Sequence, residues 1–296
     1  MLRFETAGQA VADRNTGLVW SRDAALAQYP MTWAETFDWI DDLNAARLAG
    51  FADWRLPNRR ELFSLVSHEA INPALPAGHP FMNVFPGYYW TSTSVCRLPD
   101  QAWYVHLGGA RVFKGMKSGS YMAWPVRSSG GETGVYRTGQ SSCYAPDGAL
   151  RDCAGTGQDG GLRMGLPWPQ PRFDVQGDMV ADRLTGLLWT RRADLVPGPV
   201  TWDTARVSVA EANRSRLYGY TDWRLPNVRE LESLCDLQHH SPALPEGHPF
   251  EAVREFYWSG TTSRYDPDYA WAFYAVDGNV GVGYKPGGGF HVWPVR

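Results

Sequence analysis

The apolar positions of this chain change period twice, and the whole series of changes then starts again. Residues 10–20, AVADRNTGLVW, set two short apolar runs on either side of a polar DRNTG tip. The pattern predicts a hairpin running into a strand, with Gly17 at a left-handed turn position. Trp33, Phe37, Ile40 and Asn44 then recur at helical spacing, behind Thr32 and Glu35, which fit a capping box. A second helix is expected after Pro57, with Asn58 as cap, Glu61 three residues on, and Leu62, Leu65 and Val66 as its buried face. The period then drops to two. Residues 88–94 (YYWTSTS), 101–107 (QAWYVHL), 110–115 (ARVFKG) and 121–127 (YMAWPVR) read as short strands separated by turn residues. Pro125 implies an edge position or a strand end at that point. Helices followed by short antiparallel strands predict an α+β arrangement.

At an offset of 169, DRNTGLVW (13–20) returns as DRLTGLLW (182–189), DWRLPNRREL (53–62) as DWRLPNVREL (222–231), and PALPAGHPF (73–81) as PALPEGHPF (242–250). A one-residue slip pairs Tyr89 and Trp90 with Tyr257 and Trp258, and the offset is restored at WPVR, 124–127 and 293–296. Twelve of the fourteen tryptophans fall into six pairs, which makes the chain a tandem duplication. Residues 1–127 and 172–296 are the expected domains. Residues 128–171, rich in Gly, Ser, Thr and Asp without apolar period, are the expected linker. Within it, Cys143 and Cys153 enclose a Pro-Asp-Gly turn sequence and are expected to form a disulfide. Cys96 and Cys235 occupy non-equivalent positions and read as ordinary buried thiols.

Composition narrows the function. Charged residues are 20% of the chain and the net charge is −3, which excludes bulk electrostatic attraction to nucleic acid or an acidic membrane. No apolar run reaches the roughly 18 residues of a membrane span. The first residues, MLRFETAGQ, carry no secretory signal pattern, yet a disulfide points to an oxidising place: secreted, periplasmic or cell-surface. Fourteen tryptophans beside 31 glycines and 21 prolines suggest many short elements on an aromatic core.

The hairpin ending in TGLxW, the TWxxA helix, DWRLPNxxEL, a YWTST-like strand and a terminal WPVR together resemble the DUF1566 family. That family is also known from the C-terminal domain of a Legionella collagen-like adhesin. The resemblance covers about residues 3–127 and 172–296. It implies a C-type-lectin-like fold in each copy: two helices, a small twisted, mainly antiparallel sheet, and a loop-rich half that carries ligands. The repeated DWRLPN phrase itself reads as mechanical, with Trp54 and Leu56 in the core, Pro57 starting a helix, Asn58 capping it and Arg55 pairing a carboxylate or carbonyls.

Recognition is therefore expected where the copies differ. In the first copy these positions are Arg97, Asp100, Gln101, Arg111, Lys114, Lys117 and Tyr121; Arg111, Lys114 and Lys117 form a basic cluster suited to sulfate or carboxylate groups. In the second, Arg264, Tyr265, Asp266, Asp268 and Tyr269 precede Asp277, Asn279, Tyr284, Lys285 and His291, a mixture suited to neutral sugars or protein. Each also fits a solvated turn residue. No resident cofactor is expected, although Asp266, Asp268 and Asp277 are candidate calcium ligands; the sugar-specifying triplets EPN and QPD do not occur. Cys235, His239 and His240 could be assembled toward zinc, but a fourth ligand and the usual spacing are missing. With no Ser/His/Asp order, phosphate loop or HExxH, the reading is non-enzymatic. The expected function is a bacterial surface-binding or adhesion protein whose partner is a glycan or surface protein. The alternative is a self-associating structural subunit of an extracellular fibre.

Overall fold

The computed structural model describes residues 2–130 and 133–296; Met1, and Gly131 and Glu132 of the expected linker, lie outside it. The chain forms two compact α+β units, Met1–Pro167 and Trp168–Arg296, with similar element order.

In the first unit, β1 (Phe4–Ala7), β2 (Ala10–Asp13) and β3 (Leu18–Ser21) make an antiparallel sheet. Gly17 at the β2–β3 tip has φ +67°, a value its lack of Cβ permits. The short β4 (Met31–Thr32) leads into α1 (Trp33–Ala45), and α2 (Arg59–Leu65) follows the DWRLPN corner. Three antiparallel strands come next: β5 (Tyr88–Ser94), β6 (Gln101–His106) and β7 (Arg111–Met116). The region expected as one strand over 121–127 is instead divided. β8 (Ser120–Tyr121) pairs with β4, and β9 (Val126–Ser128) joins β3. Pro125, which has no N–H to donate, sits where the chain passes from one sheet to the other.

Residues 133–167 do not behave as a tether. They carry β10 (Cys143–Tyr144), β11 (Leu150–Arg151) and the one-turn α3 (Asp159–Leu162), and they belong to the first unit. Cys143 and Cys153 are bonded. The Gln140 carboxamide accepts the Ser94 N–H at 2.9 Å and donates to the Ser94 carbonyl at 2.7 Å. Buried Asp159 accepts the Thr93 and Thr138 hydroxyls at 2.7 and 2.6 Å. Asn58 and Arg60 donate to the carbonyls of Met164 and Arg137. Polar side chains rather than an apolar stripe hold this strap, which is why hydropathy reads it as linker.

The second unit repeats the frame with β12 (Phe173–Gln176), β13 (Met179–Asp182), β14 (Leu187–Thr190), α4 (Trp202–Arg214), α5 (Val228–Ser233), β15 (Phe256–Thr262), β16 (Tyr269–Tyr274) and β17 (Asn279–Tyr284). A bridge between Trp189 and Val295 stands where β3 meets β9.

The paired tryptophans repeat their bonds as well as their places. Trp33 and Trp202 donate to the carbonyls of Thr91 and Ser259, both at 2.8 Å. Trp54 and Trp223 donate to those of Leu48 and Leu217, and Trp124 and Trp293 to those of Ser21 and Thr190. Trp20 meets Trp124 edge-on at 5.5 Å, as Trp189 meets Trp293 at 5.3 Å. The duplicated corner is equally regular. Asn58 and Asn227 each cap a helix in a capping box with Glu61 and Glu230. Arg55 and Arg224 pair those same glutamates through two bonds each, and Asp53 and Asp222 hold the last arginine of each WPVR.

Candidate ligand-binding site

Cross-strand register assembles an aromatic face on the first unit. Tyr88 stands opposite His106, which stands opposite Arg111; the next row is Trp90, Tyr104 and Phe113. Residues directly opposite in neighbouring strands share a face. Tyr121 closes the group, its ring 4.3 Å from Trp90, 5.1 Å from Tyr104 and 5.2 Å from Tyr88. Tyr88 is 4.8 Å from both Tyr104 and His106. Gly115 makes this possible: a Cβ there would sit 2.5 Å from the Tyr121 hydroxyl. Tyr88 keeps 42% of its surface exposed and Arg111 is exposed, so the face is open.

Its charge state follows from burial. Desolvation, reinforced by Tyr121 and Tyr88 and opposed by Arg111, pushes the Tyr104 hydroxyl up to about 12; burial and Tyr88 raise Tyr121 too. Both phenols are therefore proton donors at neutral pH. Burial, then Arg111, lowers His106, leaving it a neutral ring. Arg111 supplies the fixed positive charge. Ring faces, phenolic donors and a guanidinium are the groups that stack on a pyranose, hydrogen-bond its hydroxyls and pair an acidic substituent.

Of the first-copy candidates, Arg111 and Tyr121 belong to this face. Lys114 is half-buried, 6.0 Å from the Trp103 ring. Lys117 departs from the expected surface cluster. It is buried, 4.1 Å above the Trp33 ring, and donates to the carbonyls of Tyr144 and Ala145 in the strap. Lys285 is its counterpart, 4.4 Å above Trp202 and donating to the Pro267 carbonyl and the Thr262 hydroxyl. The one-residue slip already aligns these two lysines, so the signal was present in the sequence. They are a shared packing device, not a difference between copies. Exposed Arg97 and half-buried Asp100 and Gln101 lie on or beside the β5–β6 loop, where the Asp100 carbonyl accepts the Lys117 N–H.

In the second unit, Arg264, Tyr265, Asp266 and Asp268 occupy the β15–β16 loop, and Tyr269 meets Tyr284 at 5.4 Å. Asp277 in the β16–β17 turn and Asn279 at the start of β17 are buried, and the Asn279 carboxamide donates to the Asp277 carboxylate at 2.6 Å. That turn and the β15–β16 loop sit at opposite ends of β16, so Asp277 cannot share a calcium ion with Asp266 and Asp268. Among the described residues no group of three or more His, Cys, Asp or Glu is placed to hold a metal, including Cys235, His239 and His240. Cys235 is buried and Cys96 partly so. His291 lines a separate cavity of about 540 Å³ with Arg254, Glu255 and Ser241. The rows equivalent to the aromatic face carry Phe256, Tyr274 and Asn279, then Trp258, Ala272 and Gly281, with Phe290 in place of Tyr121. Fewer hydroxyls and no cation remain there. Sequence reasoning missed Tyr88, Tyr104 and His106 by looking only at loops; strand alternation places Tyr104 and His106 on one face.

The duplicated α+β frame spends its paired tryptophans on packing and leaves one face of tyrosines open, the build of a tandem-repeat protein; no helix among the described residues is long and apolar enough to cross a membrane. The chain belongs to the Lcl C-terminal domain family, whose profile matches residues 9–127 and again residues 178–296. That family is of adhesin type. No curated protein matches the chain at a significant level.

Proposed function

We propose that this is a secreted or cell-surface adhesin-type module, C-type-lectin-like in both units, whose first unit binds a sulfated or carboxylated glycan on the Tyr88–Tyr104–Tyr121 face. The open tyrosine cluster beside Arg111 carries the reading. A sugar ring lies on Tyr88, the phenols donate to its oxygens, and Arg111 pairs the acidic group. The second unit, with Tyr269 against Tyr284 and exposed Arg264 and Tyr265 in the β15–β16 loop, suits a neutral sugar or a protein surface. Binding to immobilised sulfated, carboxylated and neutral polysaccharides tests this. Tyr88→Ala should weaken binding by about tenfold, the scale of one lost aromatic contact. Arg111→Ala should abolish the preference for acidic over neutral chains and flatten the salt dependence. Unchanged binding in both variants would overturn the assignment.

A further inference from the structure

The two units differ in what covers one corner. In the first, the strap lies over the start of α2 and the end of β5, leaving Asn58, Glu61, Thr93 and Ser94 at 1% exposure or less. The register of the duplication makes Asn227, Arg229, Thr261 and Thr262 the counterparts of Asn58, Arg60, Thr93 and Ser94. Thr91 and Ser259, two residues earlier in their strands, confirm it by donating to the carbonyls of the paired Trp103 and Trp271, each at 2.8 Å. Among the described residues of the second unit no segment plays the strap's part, and Asn227, Arg229, Gly260 and Thr262 are exposed. Beside them opens a groove of about 540 Å³ lined by Trp202, Val209, Trp223 and Leu225, with Arg206 at its edge. Arg206 replaces Phe37, against whose ring the strap's Gly157 lies in the first unit.

We propose that this bare corner docks an extended peptide segment of another protein, one that presents a carboxylate to Thr261 and a carboxamide to the Thr262 backbone. The strap is the template. Its Asp159 takes the Thr93 hydroxyl, its Gln140 brackets Ser94, and its carbonyls receive Asn58 and Arg60. The second unit retains a hydroxyl, a carboxamide and a guanidinium at the matching positions, and adds exposed Arg206 in favour of a carboxylate. Lys285 is already satisfied within its own unit, so the occupant needs no counterpart of the disulfide hairpin that meets Lys117. The strap of a second copy is a poor source. It is committed to its own unit through a buried carboxylate.

The test uses the full chain with an oxidised, fluorescent synthetic peptide of residues 133–167, read by anisotropy. One saturable site is expected, weakened at least about tenfold by Thr261→Val in the protein or by Asp159→Asn in the peptide, the loss of one charge-assisted bond. Binding that ignores Thr261→Val means exchange at the first unit and overturns the proposal. A second measurement covers a peptide too unstructured to bind in trans. A second copy of residues 128–167 is placed after Arg296, as the first follows Arg127, and amide hydrogen exchange is followed at residues 260–263. Slowed exchange supports docking even if the free peptide is blank. No binding and no protection together sink it.

Discussion

Asp159 is a carboxylate at 1% exposure whose Oδ2 accepts two threonine hydroxyls. Burial pushes its pKa up to about 6 from an ordinary 3.8, while the hydroxyls of Thr138 and Thr93 pull the other way. The folded chain therefore holds this proton more tightly than the unfolded one. Its contribution to stability is full below about pH 3.8 and is lost as pH climbs through about 6. Asp159→Asn should flatten that part of the profile: between pH 4 and 7, thermal unfolding of the variant should gain on the parent as pH rises. A constant offset between the two curves would contradict the assignment. Lys117 is a second buried charge. Desolvation lowers its pKa to about 7 against the pull of Asp100 and Asp147; in the ammonium form it donates to two strap carbonyls and lies over the Trp33 face.

The capping boxes allow a comparison of like with like. Asn58 and Asn227 make the same bonds to Glu61 and Glu230, at 2.9 Å from the helix N–H in each case. Only Asn58 also donates to the strap, at Met164. Asn227→Ala should cost about 1 kcal/mol, the usual value of a lost N-cap. Asn58→Ala should cost about 2 kcal/mol, because the cap is buried and a strap carbonyl loses its donor. Denaturant unfolding of the two variants checks the inequality; equal costs would mean that the strap bond adds nothing. Helix starts were readable in the sequence because a cap and its glutamate are three residues apart. The interruption of the last strand was readable only as a proline. Where the chain goes on either side of it depends on β3 and β4, about a hundred residues earlier.

The molecule is two bodies built alike, one of which wears a strap. The bond between Cys143 and Cys153 closes a short loop in that strap and should stabilise it by about 2–3 kcal/mol through loss of unfolded-chain freedom. Reduction should accelerate amide exchange at residues 58–61 and 93–94 while leaving 227–230 and 261–262 at their former rates. Equal acceleration at both corners would show that the strap does not protect the first.

Six tryptophan pairs, two repeated corners and a change of period announced two α+β units, because those features make bonds to neighbours a few residues off or within one repeat. The strap's attachment, the burial of Lys117 and the meeting of Tyr88, His106 and Arg111 needed the folded chain. They rest on polar pairings and cross-strand register between distant positions, and a hydropathy pattern holds no trace of which distant donor meets which acceptor.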